Sequence, residues 1–222
     1  MRIIFTVVVA ILLGWYGWWK PRQNREKLSS HRYAKAQIPV KLVVALSVLL
    51  VVIGGSEARW QFLQYSASSA LKEVTGNPNA RLQCQRLSES WIDMDSGSIE
   101  GKVNSNDVNT ANLKYRQCND LFMWMQSWDK SSPSQAQMMA IHVLTHEGVH
   151  TTGQFNEAIT ECTAVQRDPM MTKALGGSEE TGLALQKKYF ETVYPKMPPT
   201  YLLSGCAIDQ KFDSLLVKDK SG

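Results

Sequence analysis

Two long apolar runs stand at the start of the chain, and patterns typical of amphipathic helices follow them. The runs cover about residues 3–19 and 38–55, and each has about the length that an α-helix needs to cross a bilayer. The first ends in an aromatic cluster typical of a membrane interface, and no small-residue cleavage site follows it. We therefore predict two transmembrane helices within residues 1–55 and an extramembrane domain over 56–222. A processed leader followed by one membrane helix is the alternative.

The pattern after the second run is mostly helical. Ser132 and Pro133 form a helix start signal, and Asn156 is a candidate cap for the next helix. Short β-compatible runs flank the turn at residues 95–98, which predicts a small hairpin. The predicted fold class is mainly α, or α+β with a minor β-hairpin. Five helices are predicted in the extramembrane domain, over residues 56–75, 109–128, 132–150, 156–168 and 179–193.

Basic residues are concentrated between the two apolar runs. The formal net charge is +4, but residues 1–55 carry eight basic side chains against one acidic, whereas the remainder carries 16 against 19. The positive-inside rule predicts a cytoplasmic loop, with both termini and the domain outside the cytoplasm, and a bacterial plasma membrane is the simplest host. Because the basic excess belongs to membrane topology, we predict a membrane partner and no nucleic-acid partner.

All four cysteines follow the second apolar run, and none is part of a CxxC pair. An even number of cysteines in a domain outside the cytoplasm predicts two disulfides in an oxidising compartment. Proximity in sequence favours Cys84–Cys118 and Cys162–Cys206 over the other two connectivities. Four buried free thiols in a cytoplasmic domain are the competing interpretation.

One short motif carries the strongest chemical prediction. Residues 146–150 read His-Glu-Gly-Val-His and match the pattern HExxH, in a chain with only four histidines. On a helix, His146 and His150 leave the same face at a distance suited to binding one zinc ion. Glu147 lies where a general base can take a proton from water that the metal activates. The motif therefore predicts a metal site, with zinc as the default ion.

The segment that follows the motif resembles the Asn-Glu-Ala helix of thermolysin-like (gluzincin) zinc metallopeptidases. The shared residues are Asn156-Glu157-Ala158 and an acidic residue, Glu161, four positions after Glu157. The resemblance covers about residues 146–166 and implies a zincin-like helical domain. It also implies that Glu157 is the third zinc ligand and that Glu161 supports a zinc-bound histidine; Glu161 as the ligand itself stays open. The layout of the domain also resembles uncharacterised membrane-anchored proteins of actinobacteria, which implies no function.

The chain departs from the gluzincin pattern in two respects. Its two motifs are nearly contiguous, and no histidine follows His150 to stabilise an oxyanion. The spacing also fits the metzincin form, in which Asn156, a poor zinc donor, would be the third ligand. Four other side chains are candidates for the oxyanion role, namely Tyr189, Tyr194, Tyr201 and Arg167.

These observations predict a membrane-anchored zinc metallopeptidase that hydrolyses peptide bonds in peptide or protein substrates outside the cytoplasm. Two alternatives stay open. A non-catalytic extracytoplasmic domain would use zinc only for structure, for interaction or for sensing. A metallohydrolase of other bonds, such as a cell-wall amidase, would use the same metal site on a different substrate.

Overall fold

The computed structural model describes residues 40–86, 101–104 and 107–208, together with Gly14. The chain divides into two compact units, Met1–Phe62 and Leu63–Gly222. Apart from Gly14, the first predicted membrane helix lies outside the described residues. The basic loop and the predicted turn at residues 95–98 also lie outside them.

Helix α1, Val40–Thr75, joins the second apolar run to the first predicted helix of the domain without a break. Exposed large apolar side chains in its first half are those of Val44, Leu46, Val48, Leu49 and Val51. Within the described residues, this is the one helix that is long and apolar enough to cross a membrane, by length and composition alone. The structure therefore offers a candidate for the second of the two predicted membrane helices, and the first remains a prediction.

The part of α1 that belongs to the second unit presents the apolar stripe expected from its sequence. Side chains recur there at helical spacing and are fully or almost fully buried, which places this segment in the core of that unit. The buried side chains are those of Leu63, Ala67, Ala70, Leu71 and Val74.

A three-stranded sheet follows within the described residues. Strand β1, Arg81–Cys84, lies parallel to β3, Asp107–Leu113, and β2, Gly101–Asn104, lies antiparallel to β3. The strand order is therefore β1-β3-β2. The helix predicted over 109–128 is therefore wrong at both ends, because β3 continues to Leu113 and the observed helix covers only Tyr115–Met125. Ala111 and Leu113 are buried on either side of the partly exposed Asn112. This alternation of period two is too short to stand out beside the helical pattern that follows it.

Four disulfide-bonded cysteines fasten the second unit. Cys84 of β1 bonds Cys118 of helix α2, Tyr115–Met125, and Cys162 bonds Cys206 near the end of the described chain. Both pairs agree with the prediction from proximity, and no cysteine is free. Each pair joins an element of regular structure to a part of the chain more than 30 residues away, and such loop closure restricts the unfolded chain.

Three helices form the second half of the unit, and two of their predicted boundaries are corrected. They are α3, Gln135–His150, α4, Glu157–Ala174, and α5, Glu179–Thr192. The cap of α3 is Ser134 and not Ser132, because Ser134 and Gln137 form a reciprocal capping box that satisfies two backbone N–H groups. Helix α4 extends past its predicted end at residue 168. Two single turns of 3₁₀-helix follow α5, at Tyr194–Lys196 and Pro199–Tyr201.

Helix α4 continues through Pro169 because α5 supplies the hydrogen bond that proline cannot make. A proline lacks the N–H that would bond the carbonyl four residues earlier, here that of Val165. The Gln186 side chain of α5 donates to this carbonyl from 3.0 Å, in a buried position. Gly182, one turn before Gln186, allows the close approach, since a Cβ there would lie 2.6 Å from Pro169 Cα.

We expect the substitution Gln186→Leu to lower the free energy of unfolding by about 1–3 kcal/mol, because it leaves the buried Val165 carbonyl without a donor. Denaturant unfolding of the full-length protein measures this change. Lys188→Leu is the matched control at an exposed position of α5, where a change within about 0.5 kcal/mol is expected. Equal effects of the two substitutions would contradict the role given to Gln186.

Candidate metal centre

The residues of the candidate centre lie on one helical hairpin formed by α3 and α4. The two helices are joined by residues 151–156, where Gly153 adopts a φ of +87°, a left-handed conformation that suits glycine. Asn156 caps α4 as predicted, because its side-chain oxygen accepts from the N–H of Ile159 at 3.1 Å. The same contact gives the Asn156 oxygen a structural role, so the structure supplies no support for a metzincin-type ligand there.

The central residue of the motif is a glycine for a packing reason. A Cβ at Gly148 would lie 2.6 Å from the side chain of Leu71 and 3.3 Å from that of Thr75, both on α1. The absence of a side chain therefore lets the back of α3 pack directly against α1. The two histidines then lie on the opposite side, toward α4.

Three side-chain atoms from the hairpin meet at one point. Nε2 of His146 lies 3.1 Å from Nε2 of His150 and 3.1 Å from Oε2 of Glu157, and Nε2 of His150 lies 3.4 Å from the same oxygen. The imidazole side chains are buried, with 10% and 8% exposed, whereas the Glu157 side chain is 39% exposed. The cluster therefore opens to solvent on the side of Glu157.

The dimensions of this triangle suit a tetrahedral metal ion. Zinc binds histidine nitrogen and carboxylate oxygen at about 2.0–2.1 Å, and tetrahedral bonds of that length hold their ligand atoms about 3.3 Å apart. The observed edges of 3.1–3.4 Å agree with this spacing. His146, His150 and Glu157 can therefore hold a metal ion.

The outer nitrogen of each histidine is held by a second partner. Nδ1 of His146 lies 2.8 Å from Oε2 of Glu161, and Nδ1 of His150 lies 2.6 Å from the backbone carbonyl oxygen of Gln154. Each acceptor takes an N–H, which leaves Nε2 of the ring as the metal-binding atom. Glu161 thus contacts His146 in the supporting position that the family resemblance implies, while the turn itself orients His150.

The charges of the cluster favour a bound cation. Burial lowers the pKa of His146, but its hydrogen bonds to Glu157 and Glu161 outweigh this and raise it to about 9. Burial and the positive charge of His146 lower the pKa of His150. The hydrogen bond from His146 holds the pKa of Glu157 below its usual range. The proton on Nε2 of His146 occupies the position that a metal ion would take, so metal binding would release this proton.

Glu147 lies beside the cluster with one carboxylate oxygen free. Its side chain is buried, and Oε2 has no hydrogen-bond partner among the described residues. Burial raises the pKa of Glu147 to about 7, against the opposing effect of the positive charge of His146. A buried carboxylate oxygen without a hydrogen-bond partner lowers the stability of the folded protein, and such groups are often found in active sites.

The four candidates for the oxyanion role lie in different places. Tyr201 is the one whose ring is near the ligands, 5.9 Å from the ring of His146 and partly exposed. Tyr189 is fully buried and donates to Glu161 at 2.6 Å, behind the ligand cluster. The Tyr194 hydroxyl accepts from the N–H of Leu203 at 2.9 Å, and Arg167 donates to the carbonyl of Val74 at 2.8 Å. Tyr201 is therefore the candidate that the structure brings to the centre.

Two aromatic rings flank the ligands. Tyr201 stands beside His146, and Phe155 stacks on His150 with the ring centres 6.1 Å apart while remaining exposed. Burial raises the pKa of Tyr201, and the negative charges of Glu157, Glu161 and Glu147 add to this effect. The hydroxyl of Tyr201 therefore keeps its proton and can donate a hydrogen bond at neutral pH.

The sequence pattern did not predict the partners of His142. This buried histidine has both ring nitrogens bonded, one to Glu161 of the centre and the other to Asp168. The available signal was the spacing of His142 four residues before His146 and of Asp168 seven residues after Glu161, which places each residue on the inner face of its helix.

Comparisons with protein families, with curated proteins and with solved structures found no match to this chain.

Proposed function

We propose that this chain is a membrane-anchored, zinc-dependent metallopeptidase whose domain lies outside the cytoplasm. The observation that carries the proposal is the meeting of His146, His150 and Glu157 within 3.4 Å of one another, beside a buried carboxylate with a free oxygen. Three protein ligands with an open side distinguish catalytic zinc sites from structural ones, which have four.

Zinc is the metal that best matches these donors. Two imidazole nitrogens and one carboxylate oxygen form a borderline set that zinc favours over the harder ions calcium and magnesium, which prefer oxygen ligands. When bound, zinc would act as a Lewis acid toward a carbonyl group and toward water. The resemblance to the gluzincins supports the same assignment for the same three residues.

The residues around the ligands are suited to peptide hydrolysis. Glu147 would take a proton from the attacking water and give it to the leaving amine, which requires a free carboxylate oxygen and a pKa near neutrality. Tyr201 would donate from its hydroxyl to the carbonyl oxygen as negative charge develops there. This supplies, from the C-terminal segment, the role that a downstream histidine has in gluzincins.

Two features support a location outside the cytoplasm. Both disulfides lie in the unit that contains the metal ligands, and disulfides persist in oxidising compartments. The apolar half of α1 is the candidate membrane segment, directly before that unit in the chain. A bacterial plasma membrane with an outward-facing domain accounts for both features.

The test of the proposed function combines metal analysis with a substrate screen. Purified full-length protein in detergent is expected to contain about one zinc per chain. It is also expected to hydrolyse members of a peptide library, to stop when a chelator removes the metal, and to recover when zinc is restored. A muropeptide pool screened in parallel tests the amidase alternative.

Two outcomes would contradict the proposal. A folded protein with both disulfides and no bound zinc would mean that the histidine cluster is structural. One tightly bound zinc, with a cobalt-substituted spectrum that shows four protein ligands and with no hydrolysis of any pool, would indicate the non-catalytic domain instead.

A further inference from the structure

A second buried polar cluster lies behind the metal ligands, between α3, α4 and α5. His142 of α3 bonds Asp168 of α4 at 2.8 Å through Nδ1 and Glu161 at 3.2 Å through Nε2. Tyr189 of α5 stacks on the His142 ring, with the ring centres 3.7 Å apart, and donates to Glu161. All four side chains are at most 2% exposed.

Each ring nitrogen of His142 faces a carboxylate oxygen. When both carboxylates are ionised they only accept hydrogen bonds, so both ring nitrogens donate and the ring is an imidazolium. Burial raises the pKa of Asp168, whereas the positive charge of His142 and its hydrogen bond act to lower it. Burial lowers the pKa of His142, but the negative charges of Asp168 and Glu161 outweigh this and raise it to about 10.

Three donors fix the carboxylate of Glu161. The Tyr189 hydroxyl bonds Oε1 at 2.6 Å, His146 Nδ1 bonds Oε2 at 2.8 Å, and Nε2 of His142 lies 3.2 Å from both oxygens. A carboxylate held on all sides cannot rotate about its last bond without losing a buried hydrogen bond. Apart from His146, the residues that fix the direction of the Glu161 carboxylate are Tyr189 and His142, neither of which belongs to the group of His146, His150 and Glu157.

We propose that His142, held by Asp168 and supported by Tyr189, is a positioning residue for the metal centre. It fixes Glu161, and Glu161 in turn holds His146 with Nε2 directed toward His150 and Glu157. The inference rests on the proposed metal centre and extends it by one layer of side chains. It gives a role to Asp168 and Tyr189, whose side chains are fully buried and have no surface with which to contact a substrate.

Stability alone is a poor account of this cluster. Burying a charged histidine with two carboxylates carries a desolvation penalty that the ion pairs barely repay, and well-packed apolar side chains in such positions are often at least as stable. Asp168 also has one oxygen, Oδ1, with no hydrogen-bond partner among the described residues. We therefore expect the cluster to serve the metal centre rather than stability. It contacts His146 through Glu161, and this contact fixes the orientation of the His146 ring.

The variant Asp168→Asn tests the proposal in full-length protein. Asparagine has the shape of aspartate without its charge, so it no longer stabilises the positive charge of His142. A neutral His142 has only one N–H. If Nδ1 donates this N–H to the amide oxygen, Nε2 has no proton to donate to Glu161. We expect zinc affinity to fall about 10-fold, within the range for residues that support metal ligands, and the visible absorption of the cobalt-substituted protein to shift. Tyr189→Phe, which removes one donor to Glu161, is expected to act in the same direction and keeps the test open if the first variant does not fold.

Two matched controls separate positioning from stability. Thr172→Val replaces a buried hydroxyl on α4 that has no hydrogen-bond partner among the described residues, so zinc affinity should not change. Gln186→Leu is expected to destabilise the pair of α4 and α5 through the carbonyl of Val165, which is not part of the cluster. Wild-type zinc affinity and an unshifted cobalt spectrum in both Asp168→Asn and Tyr189→Phe would overturn the proposal and leave the metal centre intact. A loss of zinc affinity in Gln186→Leu as large as that in Asp168→Asn would have the same meaning. A wild-type protein that binds no zinc would overturn both.

Discussion

Replacement of Glu147 by glutamine is expected to lower kcat/KM for peptide hydrolysis by about 10²- to 10⁴-fold while zinc stays bound, the range attributed to a positioned general base. Glutamine keeps the shape of the side chain but cannot take a proton. Because Glu147 is not one of the three converging ligands, the metal site itself should persist. The measurement pairs steady-state kinetics with metal analysis of the same preparation.

The control for this experiment is Glu180→Gln on α5, an exposed glutamate of the same unit that lies outside the ligand cluster. It should have unchanged kinetics and unchanged zinc content. Full activity of Glu147→Gln would exclude the proposed role of Glu147. Loss of zinc from Glu147→Gln would instead show that this carboxylate belongs to the metal-binding set.

The second large effect is expected at Glu157. Zinc sites with four protein ligands bind with about 10–16 kcal/mol, so one ligand contributes on the order of 2.5–4 kcal/mol. Glu157→Gln should therefore weaken zinc binding by about 10²- to 10³-fold, because a neutral amide oxygen is a poor zinc donor. Competition with a chelator of known affinity measures the change.

The matched variant Glu161→Gln identifies which glutamate binds the metal. Glu161 contacts His146 on the ring nitrogen opposite the cluster, so its substitution should weaken zinc binding by only about 10- to 100-fold. Glu157→Gln should have the larger effect. The reverse order would make Glu161 the third ligand and would contradict the assignment drawn from the 3.1 Å and 3.4 Å contacts of Glu157.

The convergence of His146, His150 and Glu157 could be predicted from sequence because its geometry is local. A spacing of four residues on a helix makes His146 and His150 face the same way. The six-residue turn that follows leaves few places for Glu157 other than beside them. Asn156 marked the start of α4 for the same reason, since a cap acts on N–H groups within three residues. The disulfide pairs were also found correctly, although from proximity alone.

The strand at 107–113 and the His142–Asp168 contact could not be predicted in this way. Strand β3 exists because β1, nearly 30 residues earlier, pairs with it, and the short alternation of its side chains is a weak signal beside the adjacent helix. His142 and Asp168 are 26 residues apart, and their contact depends on the register of α3 against α4. The choice among the tyrosines depends on the path of the chain after α5, which no local pattern specifies.

The order of the disulfides along the chain bears on how the protein matures. Cys84 pairs with Cys118 and Cys162 with Cys206, so each bond joins cysteines that are consecutive in sequence, and the two loops do not interlock. A chain that enters an oxidising compartment from its N-terminal end presents Cys84 and Cys118 before either of the others. The first pair to meet is then the native pair, and the same holds for the second. Secretion in this direction should give the correct bonds without reshuffling by a disulfide isomerase, whereas refolding of the whole reduced chain exposes all four thiols together and permits the two wrong pairings.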